Sequence, residues 1–185
     1  MAAISNLSTA GPANFFDKTT LANGTRVVTS RMDHVHSASI IFNYSVGSRF
    51  EVDEQAGIPH VLEHMLFKGT EKRPVPAQIS SEIEGVGGIL NAATGRESTN
   101  YWAKIPSTHL ELAFDVLSDI LRNSTFPVDE LEKERFVIFE EIRGINDTPD
   151  DLVHDVIDEV IWDNQPVGRS IIGTEETVAS ITSEH

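Results

Sequence analysis

No cysteine occurs in the 185 residues. Nothing covalent can staple this chain, so packing has to hold its fold, and no thiolate is available for catalysis or for a zinc site. Any tightly held metal must then sit on histidine and carboxylate. A chain of this length buries roughly 70% of its unfolded surface, enough for a substantial core. Hydrophobic residues make up 39% and charged residues 23%, the balance of a globular protein rather than of a disordered or fibrous one. No run approaches the ~18 apolar residues that cross a bilayer, so no membrane-spanning segment is expected. With 14 Lys and Arg against 29 Asp and Glu, the formal net charge is -15. Nucleic acid is not an expected partner, because a phosphate-binding face needs clustered cations.

Residues 1–14 are rich in Ala, Ser, Gly and Pro and hold no Lys or Arg. They read as a flexible N-terminus without the basic start of a secretory signal or the arginines of a mitochondrial presequence. A cytoplasmic prokaryotic protein is the resulting expectation. Residues 15–185 read as one domain. The pattern predicts a hairpin over 19–30 around Asn23-Gly24, a long strand over 37–48, and a helix over 57–68 stopped by Gly69. A short helix over 76–84 follows, then a second hairpin from 89–94 and 99–105. Ser107 is placed to cap a helix reaching about 122. Beyond Pro127, helices are expected from about 129 to 144 and over 150–162. Strands come first and helices later, which predicts an α+β fold, a mostly antiparallel sheet packed against helices. The last residues, Thr182-Ser183-Glu184-His185, look like a helix cap and first turn, giving the expectation that a longer natural chain continues there.

His60-Val61-Leu62-Glu63-His64 sets two imidazoles four residues apart. At about 100° per residue, His60 and His64 lie about 40° apart, with Glu63 about 60° to the other side of His60. All three can face one cavity. Two neutral imidazoles at this spacing suit Zn2+ at ~2.0–2.1 Å, and the glutamate beside them can take a proton from a water that the metal activates. The order is the reverse of the His-Glu-x-x-His zinc-protease helix. Two solvated histidines on a surface helix are the ordinary alternative.

A catalytic zinc needs a third protein ligand and an open position. The helix after Pro127 offers Glu140 and Glu141. With Leu131 as zero, Ile138, Ile142 and Ile145 fall within about 40° of it and mark the core face. Glu140 then points about 180° away, whereas Glu141 sits about 80° off, at the rim. Glu134 lies on the same flank as Glu141, as its neighbour behind the site or toward substrate. Rim glutamates paired with Lys or Arg fit this periodicity equally well.

These segments together resemble the pitrilysin-type zinc metallopeptidases, in the branch that is similar to processing peptidases. The helix Gly57-Ile58-Pro59-His60-Val61-Leu62-Glu63-His64-Met65-Leu66-Phe67-Lys68-Gly69-Thr70 looks like the family's signature. Gly87-Gly88-Ile89-Leu90-Asn91-Ala92 with Thr94 and Tyr101 resembles its active-site edge strand, and Glu134-Arg135-x-Val137-Ile138-x-Glu140-Glu141-Ile142 the helix of its third ligand. The resemblance implies that Glu63 is the general base, that His60, His64 and Glu141 hold Zn2+, and that Glu134 supports activity without being a ligand. It implies that a peptide substrate pairs as an added strand beside Asn91-Ala92-Ala93. It places Phe67 beside the pocket for the residue after the cut, although an ordinary core Phe has the same spacing. The implied whole is the N-terminal catalytic domain of a zinc metalloendopeptidase, truncated at its C-terminal end. Such enzymes use a second homologous half or a partner subunit, and the face left uncovered leads us to expect self-association as a homodimer. A non-catalytic scaffold subunit of the same fold is the alternative, though such subunits have typically lost motif residues that are intact here. A closed structural zinc site is a further option, but it would have no use for Glu63.

Other features point elsewhere less well. His34 and His36 lack a carboxylate partner, and His109 and His154 read as solvated helix residues. Gly85-x-Gly87-Gly88 lacks the Lys-Ser/Thr of a phosphate loop, and no Gly-x-Ser-x-Gly elbow occurs. Between 129 and 163 there are 13 acidic and 3 basic residues. Most of that stretch reads as a solvated surface, and part of it could favour basic peptides.

Overall fold

The computed structural model describes residues 16–185; the flexible segment expected over 1–14 lies outside them. The chain divides into two compact units, Met1–His36 and Ser37–His185. In the first, β1 (Asp17–Thr20) pairs antiparallel with β2 (Arg26–Thr29), Lys18 opposite Val28. The connection is longer than a two-residue Asn-Gly turn. Leu21 N–H donates to Thr25 O at 2.8 Å, and Gly24, with φ 86°, ends the connection Ala22-Asn23-Gly24. Only that last position needs the left-handed backbone that glycine takes without strain.

The second unit holds an antiparallel sheet of order β3-β5-β4, made of β3 (Ser37–Tyr44), β4 (Ile89–Thr94) and β5 (Thr99–Pro106). Alternation along β5 decides which side is covered. Thr99, Tyr101, Ala103 and Ile105 are buried, whereas Asn100, Trp102 and Lys104 are not. The covered side packs on α2 (Pro76–Glu84) and α3 (Leu110–Asn123) through Ile79, Ile83, Val116, Leu117 and Ile120. β4 has one neighbour in the sheet, so its other edge is open among the described residues. β3 ends at Tyr44, short of the expected 48, because the chain enters a 3-10 turn at Ser48–Phe50. Ser107 does not cap α3; it opens a 3-10 turn, Ser107–His109, that carries the chain from Pro106 into the helix.

α1 (Ile58–Met65) lies between two cores. Val61 and Met65 pack with Leu131, Ile138 and Ile142 of α4 (Val128–Asp147) and Val178 of α6 (Glu175–Ser180), while Leu66, just beyond the helix, joins the first core. α4 runs past Gly144, since one interior glycine costs a helix only about 1 kcal/mol. α5 (Pro149–Ile161) starts on a proline, whose missing N–H costs nothing there. α6 is not anticipated by the sequence reading: its six residues are too few for periodicity, and the Thr177 N–H to Thr174 Oγ1 cap sets its start. The final residues form one turn, closed by His185 N–H to Thr182 O at 3.1 Å.

Both ends of α1 are tied down. Gly57 (φ 94°) and Gly173 (φ 74°) let two backbones meet: a Cβ on Gly57 would lie 2.6 Å from Ile172 O, and one on Gly173 2.4 Å from Ala56 O. Beyond the helix, buried Arg73 donates to Glu82, Asp115 and Asp119, fixing the following loop against α2 and α3.

Candidate functional site

One stripe of α1 faces a cleft of about 620 Å³ lined by His60, Glu63, His64, Glu141, Asp151 and Ile172, among others. The two imidazoles meet edge to face with centroids 4.7 Å apart. Glu141 Oε2 on α4 lies 3.7 Å from His60 Nε2 and 3.7 Å from His64 Nε2. One ligand atom from each of the three lies within 4.8 Å of the other two. Tetrahedral ligands at ~2.1 Å from one ion sit ~3.4 Å apart, so these separations suit a divalent metal with little movement. Glu140 faces away and pairs with Arg143 at 2.5 Å.

The protonation state of His60 suits a ligand as well. Burial, with His64 adding in the same direction, pushes the His60 imidazole down to about 4, so it is neutral at pH 7. Its Nδ1 is buried with no hydrogen-bond partner among the described residues. His64 differs: its Nδ1 lies 3.0 Å from Glu134 Oε2 and donates to that carboxylate, which leaves Nε2 as the atom that faces Glu141. Glu134 is buried, and its other oxygen lies 2.6 Å from Lys68 Nζ. Burial acts to raise its carboxyl, but hydrogen bonds from Lys68 and His64 hold it below the usual 4.5.

Glu63 stands apart from the three converging groups. Its Oε2 lies 2.5 Å from Thr94 Oγ1 at the end of β4. Burial first, then the Glu63 and Tyr44 side chains, push the neighbouring Tyr101 phenol up, so it stays protonated. Asn91 and Ala93 are exposed on the open-edged strand and Ala92 is half-buried. Asn91 Oδ1 accepts the Ala92 N–H at 2.8 Å. Phe67 is half-buried against the first core, 6.4 Å from the Tyr101 ring, and does not line the cleft. His34, His36, His109 and His154 are exposed.

Sequence reading did not find the Lys68 contact to Glu134, the approach of Asp151 and Ile172 to the cleft, or the Thr94 contact. Lys68 carries no signal of its own, since its partner is 66 residues away. Asp151 could have been suspected from its place in the acidic stretch.

A family model described as Insulinase (Peptidase family M16) matches residues 26–175. An uncharacterized zinc protease of Rickettsia felis is 42% identical over 170 residues, covering 92% of this chain and 41% of that protein. A probable mitochondrial-processing peptidase subunit beta of Arabidopsis thaliana is 43% identical over 166 residues, covering 90% of this chain and 31% of its own. Among solved structures, a protease from Helicobacter pylori superposes with TM-score 0.85 at 26% identity, covering 91% of this chain and 41% of that one. The chain therefore spans about a third to two fifths of the length of such relatives, and over the span shared with the solved structure its helices and antiparallel sheet follow the same fold. With the match extending over most of its length, the chain belongs to the insulinase family, peptidase family M16.

Proposed function

We propose that this chain is the catalytic domain of a zinc-dependent metalloendopeptidase, carried by one observation: two imidazole nitrogens and a carboxylate oxygen converge while a second carboxylate, Glu63, is held clear of them. His60, His64 and Glu141 would hold Zn2+, with His64 oriented by Glu134. Zinc in that position supplies Lewis-acid activation of a scissile carbonyl and of a water molecule. Glu63 accepts the proton of that water on a carboxylate oxygen and delivers it to the nitrogen of the departing amine. The open edge of β4 beside Asn91-Ala92-Ala93 takes the peptide as an added strand. Asp151 on the cleft wall favours peptides with a basic residue near the cut. A second homologous half or a partner subunit completes the enclosure. The length of the relatives supports that part of the reading.

Metal analysis and peptide hydrolysis test the roles separately. Glu141→Gln should lose most bound zinc, whereas Glu140→Gln should match the parent. Glu63→Gln should keep its zinc and lose hydrolysis by a factor on the order of 10² or more. A Glu63→Gln protein without metal would make Glu63 a ligand and end this reading of the mechanism.

A further inference from the structure

Glu63 is anchored from outside its own helix. Thr94, the last residue of β4, has its Oγ1 2.5 Å from Glu63 Oε2, and its next acceptor, Pro59 O, is 3.4 Å away. A hydroxyl has one proton to give, and the nearer, charged acceptor takes it. One oxygen of the carboxylate is thereby occupied, and the other remains available to accept a proton. Without that tie, the flexible Glu63 side chain could swing toward the position that His60, His64 and Glu141 surround.

The place of Thr94 in the sheet gives the contact its meaning. Residues alternate along β4, so Ala92 and Thr94 share one side and Asn91 and Ala93 the other. Ala93 and Thr94 are one residue apart, a rise of about 3.3 Å. A peptide added along the open edge and the base that takes the proton of the attacking water are thus both referred to the same few residues of backbone. A shift of β4 relative to α1 moves peptide and base together.

We infer that Thr94 is a positioning residue for Glu63: its hydroxyl fixes the carboxylate to the edge strand, so one strand both receives the peptide and aims the base. The inference rests on the peptidase reading above. Its magnitude follows from geometry, because misplacement of a reacting group by about 1 Å can cost on the order of 10²-fold in rate.

Thr94→Val removes the hydroxyl at nearly constant volume and suits a strand at least as well; Thr94→Ser keeps the hydroxyl. In the peptide-hydrolysing protein, Thr94→Val should lower kcat by about 10- to 100-fold with KM and zinc content unchanged, and Thr94→Ser should recover most of it. In the metal-free 185-residue chain, the carbon-13 resonance of the Glu63 carboxylate should move in Thr94→Val and not in Thr94→Ser. A Thr94→Val protein with parental kcat, or with an unmoved carboxylate resonance, overturns the inference. Joint loss of zinc and stability overturns it too, by making Thr94 a strand-stabilising residue. Thr94→Ala, judged the same way, replaces Thr94→Val if the latter does not fold. A parent protein with neither zinc nor hydrolysis removes the peptidase reading instead, while the resonance still decides whether Thr94 holds Glu63.

Discussion

The two ends of α1 are each held by a buried carboxylate, and the two carboxylates are in opposite electrostatic states. At the N-terminal end, Glu51 Oε1 accepts the Gly57 N–H at 3.0 Å, but Oε2 is buried without a hydrogen bond among the described residues. The nearest cation, Arg169 Nη1, is 3.8 Å from Oε2 and donates instead to Ser48 O and Glu51 O, both at 3.1 Å. Burial outweighs the Gly57 hydrogen bond and the Arg169 charge, and the carboxyl is pushed up to about 7. At the C-terminal end, Glu134 is also buried, yet direct contacts from Lys68 and His64 hold it low. Burial is common to both, so the partner's distance decides. A metal site benefits from the second arrangement at the end that orients His64, where a permanent anion keeps one tautomer in place.

Lys68→Met should break this contrast with the largest effect. It leaves Glu134 buried and its charge without the lysine, which costs about 3 kcal/mol at pH 7 in urea unfolding. The sign follows from the lowered carboxyl. Glu134 contributes stability that is present above its ordinary 4.5 and is lost as pH falls through its lower folded value. The deficit of Lys68→Met should therefore be largest near neutrality and shrink toward acid. An unchanged unfolding midpoint at pH 7 would mean that water, not Lys68, holds Glu134.

Glu51→Gln probes the other end with a smaller effect and the opposite pH trend. The unfolded chain releases this proton near 4.5, while the folded chain keeps it until about 7. Between those values the folded state binds more protons, so stability falls as pH rises, by on the order of 2–3 kcal/mol, and then levels off. Glu51→Gln has no proton to lose. Parent and variant should converge at acid pH, with the variant the more stable at pH 8. A difference between them that does not change from pH 4.5 to 8 would remove Glu51 as the cause.

The contrast also separates what the sequence discloses from what it does not. His60, Glu63 and His64 share an eight-residue helix, so their common face follows from helical spacing alone. The phase of α4 sets Glu141 apart from Glu140 because Leu131, Ile138 and Ile142 mark its buried side. The β4–β5 hairpin is readable from alternation and its turn residues. By contrast, Lys68 meets Glu134, and Glu51 lies near Arg169, across 66 and 118 residues, distances over which no local period carries information. α6 escapes notice because a six-residue helix shows less than two turns of pattern. Burial of a charged group such as Glu51 is a property of the assembled loops, and composition reads it as one more surface carboxylate.

Asp53→Asn is the smallest change and sharpens the comparison most finely. Asp53 is an exposed partner of Arg169, with 89% of its side chain accessible. Exposed ion pairs contribute little, so the loss at pH 7 should be about 0.5 kcal/mol or less. Its interest lies in what Arg169 then does. Asp53 offsets part of the guanidinium charge, and removing it leaves more of that charge to act on Glu51 Oε2, 3.8 Å away. The loss of a nearby anion acts in the same direction. Both favour the ionised carboxylate, so the Glu51 carboxyl should fall from about 7 toward its ordinary value. The stability decline above pH 4.5 should then level off at a lower pH than in the parent, and Glu51→Gln in the Asp53→Asn background should gain less at pH 8. If the decline keeps its parental range, Arg169 is too far or too well solvated to matter to Glu51, which is then set by desolvation and the Gly57 hydrogen bond, while Glu134 is set by its direct partners.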